Sequence, residues 1–216
     1  MHSAQLSWVT PEGEPMIAKC ARVSNPANED NPDYVKLIRY LIRHRHWSPF
    51  EMVSMAVDIT TTRAIAPQIL RHRSFHFQEF SQRYAESTAA PLPELRAQDL
   101  KNRQNSTDTL PAETIEHYDE RMRQLRDDAF ALYRDMLADG VAKECARNVL
   151  PTGLTATRLH MAGTIRDWLH FVDLRTSNGT QREHMQIAQS VKAILQQHFP
   201  HTCEAMWVDS SSETVS

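Results

Sequence analysis

Glycine is scarce in this chain: of 216 residues only five are Gly, at positions 13, 140, 153, 163 and 179, against a usual share of about 7%. No two of them form a Gly-x-Gly, so the clustered glycines that let backbone N–H groups cradle phosphate in dinucleotide folds and P-loops are missing. Any phosphorylated ligand has to be held by side chains. Cysteine is equally sparse. Cys20, Cys145 and Cys203 are odd in number, far apart and without a Cys-x-x-Cys pair, which excludes a disulfide scaffold or zinc ribbon and fits a reducing cytoplasm. Residues 1–20 lack the basic and apolar regions of a secretion signal, and no stretch reaches membrane-span length. A cytoplasmic protein with no membrane partner is expected. Charge of one sign is also missing: 24 Lys plus Arg stand against 27 Asp plus Glu, a net charge of −3, without the basic footprint of a nucleic-acid binder.

What remains is the composition of one soluble globular domain, 41% hydrophobic and long enough to bury a core without staples. No repeat or linker divides it, so residues 1–209 are expected to form a single domain and residues 210–216 a frayed polar tail. Only five of the 24 basic residues are Lys. The rest are Arg, whose planar fork pairs with phosphate or carboxylate and keeps its charge when partly buried.

Apolar spacing sketches the elements. Tyr34, Leu37, Ile38 and Leu41 lie on one face of a helix that starts near Asn31-Pro32 and ends near His46. Val53, Met55, Val57 and Ile59 alternate within residues 51–62, a half-buried strand, and residues 63–72 read as a short helix with Pro67 near its start. After Pro111, Ile115, Tyr118, Met122, Leu125, Ala129, Leu132 and Met136 recur three and four apart, which predicts a long amphipathic helix capped by Gly140. Residues 142–150 read as a helix stopped by Pro151 and residues 154–161 as a strand. Thr164-x-x-Asp167 and Thr180-x-x-Glu183 have the form of capping boxes that open two more helices, the second reaching about His198. Helices outweigh and separate the strands, so the expected class is α+β: a small, mostly antiparallel sheet covered by helices, one of them long. Residues 86–110 form a polar, proline-bearing loop of a length usually functional or mobile.

The densest chemistry is Arg71-His72-Arg73-Ser74-Phe75-His76-Phe77-Gln78-Glu79-Phe80-Ser81-Gln82-Arg83-Tyr84. A solvated face would not interleave aromatic rings with these charges, and a core segment would not hold three arginines without anionic partners. An anion site with apolar walls satisfies both halves of the pattern; an internal ion-pair network is the alternative.

This stretch resembles the signature of the flavin-dependent thymidylate synthases: Arg71-His72-Arg73, seven residues, then Ser81, with Glu79 to Tyr84 matching the family's Glu-x-Ser-x-Arg-Tyr. Ala21-Arg22-Val23-Ser24, His46-Trp47-Ser48-Pro49-Phe50-Glu51, Ala146-Arg147-Asn148-Val149-Leu150-Pro151 and Leu174-Arg175 are similar to further family blocks in the expected order, so the likeness spans roughly residues 18–206. The resemblance implies a methyltransferase that converts dUMP to dTMP, with methylenetetrahydrofolate as carbon donor and NADPH as reductant through FAD. It implies a homotetramer with active sites shared between chains.

Residue by residue, the resemblance places Gln68, Arg71, Glu79, Ser81, Gln82, Arg83, Arg147 and Arg175 at dUMP, and Ser48, Glu51, Arg71, His72, Arg73, Glu79, Thr164, Arg166 and His170 at FAD. Arg175 is the implied catalytic residue, favouring an ionised uracil; a guanidinium is no base at neutral pH but stabilises negative charge on the pyrimidine. Ser81 has no base paired with it by sequence and reads as a positioning hydroxyl. Residues 176–183 lack the His and Ala that often precede Gln in relatives, and residues 95–105 form an insertion that could gate folate or NADPH. Two rival classes are weaker. His44-x-His46 and His72-x-x-x-His76 have ligand-like spacing, but no His-Glu-x-x-His occurs and no metal is expected. A nucleic-acid-binding module built on the Arg and aromatic cluster would show steep salt dependence and no bound chromophore.

Overall fold

The alternating run of Met55, Val57 and Ile59 forms the centre of the sheet, and all three side chains are fully buried. In the computed structural model, which describes residues 1–208, the chain runs through β1 (Ser3–Val9), α1 (Gly13–Ala21), α2 (Val35–Arg43), β2 (Ser54–Thr62), α3 (Ala66–Ile69) and β3 (His76–Glu79). A short ribbon, β4 (Ala97–Gln98) and β5 (Ser106–Thr107), precedes the long α4 (Ala112–Ala138). Then come α5 (Lys143–Ala146), β6 (Ala156–Thr164), α6 (Ile165–Arg175), α7 (Arg182–His198) and α8 (Pro200–Trp207). The main sheet has the order β1-β2-β6-β3 with every neighbour antiparallel. β2 and β6 pair along their full length, Ser54 opposite Thr164 and Thr62 opposite Ala156.

Burial follows the pleat. Leu159 and Met161 of β6 join the β2 residues in one core with Trp168, Phe171 and Val172 of α6 and Ile187, Val191 and Leu195 of α7. Trp168 is fully buried and its Nε1 donates to the Met55 carbonyl at 3.0 Å, so its polar atom is satisfied. Gly163 is a steric requirement: a Cβ there would sit 2.5 Å from the Phe75 ring. Across the core, Glu14 of α1 accepts from the Thr202 N–H at 2.7 Å and the Thr202 hydroxyl at 2.9 Å, tying α1 to α8. The α+β class, the small antiparallel sheet and the long helix match expectation. The polar tail expected at residues 210–216 lies outside the described residues.

Several local expectations are corrected. β1, α1, β3 and α8 carry no sequence reading, and β3 lies inside the Arg-rich stretch. The residues before β2 form a 3-10 turn, Ser48–Met52, so the strand begins at Ser54. The helix expected over residues 142–150 shortens to α5 followed by the turn Arg147–Val149. Thr164 and Asp167 form a complete capping box. Thr180 and Glu183 do not: α7 is capped at Gln181 without a side-chain bond, the Thr180 hydroxyl reaches the Leu174 carbonyl, and Glu183 pairs with Arg96. Gly140 ends α4 as expected, at φ 84°, with Val141 N–H bonded to Met136 O and Gly140 N–H to Leu137 O, the two bonds of a Schellman cap.

The α4 stripe is not buried within the chain. Tyr118, Leu125 and Leu132 are 47%, 57% and 50% exposed. The helix seats only its later turns, through Phe130 and Tyr133 against Ala146 with Val149 and Leu150. The 86–110 segment is also more fastened than its composition suggests. Thr88 O accepts from Ala156 N–H, Ala90 N–H donates to Leu154 O, and Ser87 N–H donates to the Tyr133 hydroxyl at 3.2 Å.

Candidate active site

The Arg-rich stretch folds as a turn, residues 70–75, then β3 on the open edge of the sheet. Phe75 is buried against Trp168, ring centroids 4.6 Å apart, and this anchors the turn. Arg71 and Arg73 on either side of His72 face outward and make no hydrogen bond or ion pair among the described residues. His72 turns inward. Arg175, the last residue of α6, donates from Nε to His72 Nε2 at 2.9 Å. An accepting Nε2 must be unprotonated, so the ring is neutral with its proton on Nδ1. Burial, reinforced by the adjacent Arg175 charge, pushes His72 down to about 4. Desolvation also lowers Arg175.

Two residues that sequence reasoning missed complete this cluster. Gln181, the cap of α7, accepts from the Gln68 amide at 2.6 Å, which joins α3 to α7. His184, one turn into α7, lies edge-on to His72 with ring centroids 6.0 Å apart. Arg63 is a third omission: it donates from Nη1 to Glu79 Oε1 at 2.8 Å and from Nη2 to the Phe80 carbonyl. The Thr157 hydroxyl donates to the same Glu79 oxygen at 2.8 Å. Glu79 is thereby fixed at the end of β3, beside a cleft of about 390 Å³ lined in part by Phe80, Ser81, Tyr84 and Arg158.

The remaining residues fall into two further groups. Arg83 donates to Glu144 at 3.1 Å, which sets it beside the α5 segment that carries Arg147. Gln82 donates to the Ser87 hydroxyl at 2.8 Å, and Ser81 Oγ accepts from Arg83 N–H at 3.4 Å. Arg147 is half-buried and, among the described residues, unpaired. The other group joins the Ser48–Met52 turn to α6. Glu51 pairs with Arg166, and Trp47 meets His170 edge-to-face at 5.1 Å. Arg166 and His170 are four apart and share a helix face. Thr164 spends its hydroxyl on the capping box. No hydrogen bond, ion pair or ring contact among the described residues joins the Ser81–Arg83 loop to Arg175.

Comparison with known proteins bears on the family of the chain. The family described as "Thymidylate synthase complementing protein" matches residues 5–201. A flavin-dependent thymidylate synthase from Synechocystis is 50% identical over 198 residues, 92% of this chain and 90% of the relative. A probable flavin-dependent thymidylate synthase from Paramecium bursaria Chlorella virus 1 is likewise 50% identical, over 90% of this chain and 91% of its own. Among solved structures, the UMP/dUMP methylase PolB from Streptomyces cacaoi, bound with 5-Br dUMP, superposes with a TM-score of 0.82 at 28% identity, covering 95% of this chain and 94% of the other. With a match over nearly its whole length and relatives half identical across nine-tenths of both chains, this chain belongs to the flavin-dependent thymidylate synthase family.

Proposed function

We propose that this chain is a methyltransferase of dTMP biosynthesis, converting dUMP, methylenetetrahydrofolate and NADPH to dTMP, tetrahydrofolate and NADP⁺ with FAD as cofactor. The observation that carries this reading is Arg175: its Nε is held by His72, while its terminal nitrogens are unpaired among the described residues. A guanidinium fixed on one side and free on the other suits a flat pyrimidine that gains negative charge as carbon 5 attacks the donor methylene. Arg71, Arg73 and Arg147, also without an anionic partner among the described residues, fit the phosphates of a nucleotide and a dinucleotide cofactor.

FAD, when bound, supplies the redox chemistry that carries hydride equivalents from NADPH to the transferred carbon. Arg71, His72, Arg73, Glu79, Ser48, Glu51, Thr164, Arg166 and His170 are assigned to hold it; the Trp47–His170 pair offers an aromatic wall and Arg166 a cation beside it. Gln68, Arg71, Glu79, Ser81, Gln82, Arg83, Arg147 and Arg175 are assigned to dUMP, with Ser81 as a positioning hydroxyl. Because no hydrogen bond, ion pair or ring contact among the described residues joins the Ser81–Arg83 loop to Arg175, the reading includes active sites shared between chains of a homotetramer. The exposed α4 stripe of Tyr118, Leu125 and Leu132 supports that assembly. A cytoplasmic location is part of the proposal, supported by three free cysteines and by the absence, among the described residues, of a helix long and apolar enough to cross a membrane.

The test is the visible spectrum of purified protein. Flavin bands should bleach on anaerobic addition of NADPH and return when dUMP and methylenetetrahydrofolate follow, with dTMP formed. A colourless protein that takes up no added FAD would overturn the reading.

A further inference from the structure

His184 has no place in the family signature, yet it is fully buried beside the His72–Arg175 pair. Its Nδ1 and Nε2 both lie out of solvent with no hydrogen-bond partner among the described residues. An imidazole in that seat forgoes hydrogen bonds worth about 1–3 kcal/mol in desolvation. What the ring does make is contact. It stands edge-on to His72 at an interplanar angle of 84°, and Phe171 meets both rings, at 5.0 Å from His72 and 5.7 Å from His184. Phe75 approaches His72 from the fourth side, at 6.3 Å. Three rings, Phe75 from the turn after α3, Phe171 from α6 and His184 from α7, thus lie around the His72 acceptor used by Arg175 Nε.

We propose that His184 is a positioning residue: its ring covers the inner side of the half-buried His72, keeps Nε2 available to Arg175 Nε, and so aims the terminal guanidinium nitrogens at the pyrimidine. The proposal rests on Arg175 being the dUMP residue. Protonated at Nε2, His72 would be both a lost acceptor and a second cation against the guanidinium. The charge that acts on His72 is Arg175; those that act on His184 are Arg175 and His72. Burial, then these charges, push His184 down to about 3. The nitrogens of His184 take no part, and a phenyl ring would serve.

The experiment compares His184→Ala with His184→Phe in the FAD-loaded enzyme. In the Ala variant water reaches His72, whose titration moves toward the ordinary histidine value of about 6.5. The acid limb of kcat/KM for dUMP should rise by about one pH unit or more, with activity near pH 8 largely kept and FAD content unchanged. The Phe variant should restore the wild-type limb and melt at a higher temperature. A second readout is independent of turnover: NMR titration of ¹³C-labelled histidine, with His72→Asn for assignment, should show His72 neutral down to about pH 5 in the wild type and titrating near 6 in His184→Ala. Wild-type titration of His72 near 6.5, an Ala variant with an unmoved acid limb, or a Phe variant as impaired as Ala would each overturn the proposal. Should the Ala variant not fold, the wild-type titration and the Phe profile decide. Failure of the thymidylate synthase reading would appear instead as an inactive wild type, in which the titration of His72 still tests the cover.

Discussion

Replacing Arg96 by Met should detach the 86–110 segment from the substrate end of α7. Arg96 and Glu183 are each 10% exposed in their side chains and 2.7 Å apart. Arg96 also donates to Ser106 at 3.0 Å and to Glu94 at 3.2 Å, while Glu183 Oε2 is buried with no hydrogen-bond partner among the described residues. Removing the cation leaves a buried carboxylate without its charge partner, a loss of about 3–5 kcal/mol for such pairs. At about 2–4 °C per kcal/mol for a chain of this size, Tm should fall by roughly 6–20 °C. The sign with pH follows from Glu183. Burial alone would raise its pKa, but the Arg96 hydrogen bond and the other polar contacts outweigh this and hold it below the usual carboxylate value. Its contribution in the wild type is therefore present above about pH 4.5 and lost as pH falls through the folded value. In the Met variant the unpaired carboxylate shifts up, so the deficit in Tm should shrink between pH 8 and pH 5. Two assays check this: thermal unfolding over pH, and limited proteolysis between residues 86 and 110. Because Gln181 lies two residues before Glu183 and holds Gln68, KM for dUMP should also rise. Arg96→Met/Glu183→Leu should recover most of the stability, since no charge is left stranded. A loss under about 1 kcal/mol, the scale of an exposed pair, with unchanged proteolysis would refute the reasoning.

Three further outcomes are expected. Arg175→Ala should lower kcat by about 100-fold or more while FAD content, read from the visible spectrum, stays near wild type, because the lost group stabilises charge on the pyrimidine. Arg73→Ala should release FAD on gel filtration at a concentration where the wild type keeps it; full retention would remove Arg73 from the cofactor site. Gly163→Ala should cost about 1–3 kcal/mol in denaturant unfolding, since the new methyl meets the Phe75 ring at 2.5 Å. It should also disturb the His72 turn, which Phe75 anchors.

Part of the candidate site could be read because its residues cluster in sequence: three arginines between aromatic rings are the pattern expected of an anion site. β2 was legible from strict alternation and α4 from its period and terminal glycine. What could not be read depends on contacts distant in sequence. β1 carries only Ala4 as a buried side chain and slips register between Leu6 and Trp8, so it shows little alternation. Pro200 opens α8 from a first-turn position directly after α7 ends. Thr180-x-x-Glu183 has the letters of a capping box, yet Arg96, 87 residues away, takes the carboxylate. His184, Gln181 and Arg63 join the site only through tertiary contact, and no spacing rule marks them. The α4 stripe declares an apolar face without saying what lies against it.

Because α4 is seated near Phe130 and Tyr133, its first turns act as a lever. From that seat to Ala112 is roughly 28 Å at about 1.5 Å per residue, so a tilt of about 5° at the seat swings the tip by roughly 2.4 Å. The fulcrum is tied to the Ser81–Arg83 loop: the Tyr133 hydroxyl accepts from Ser87 N–H, and the Ser87 hydroxyl accepts from Gln82, next to Arg83. Whatever grips the far end of the helix therefore has mechanical purchase on the loop that carries Ser81 and Arg83.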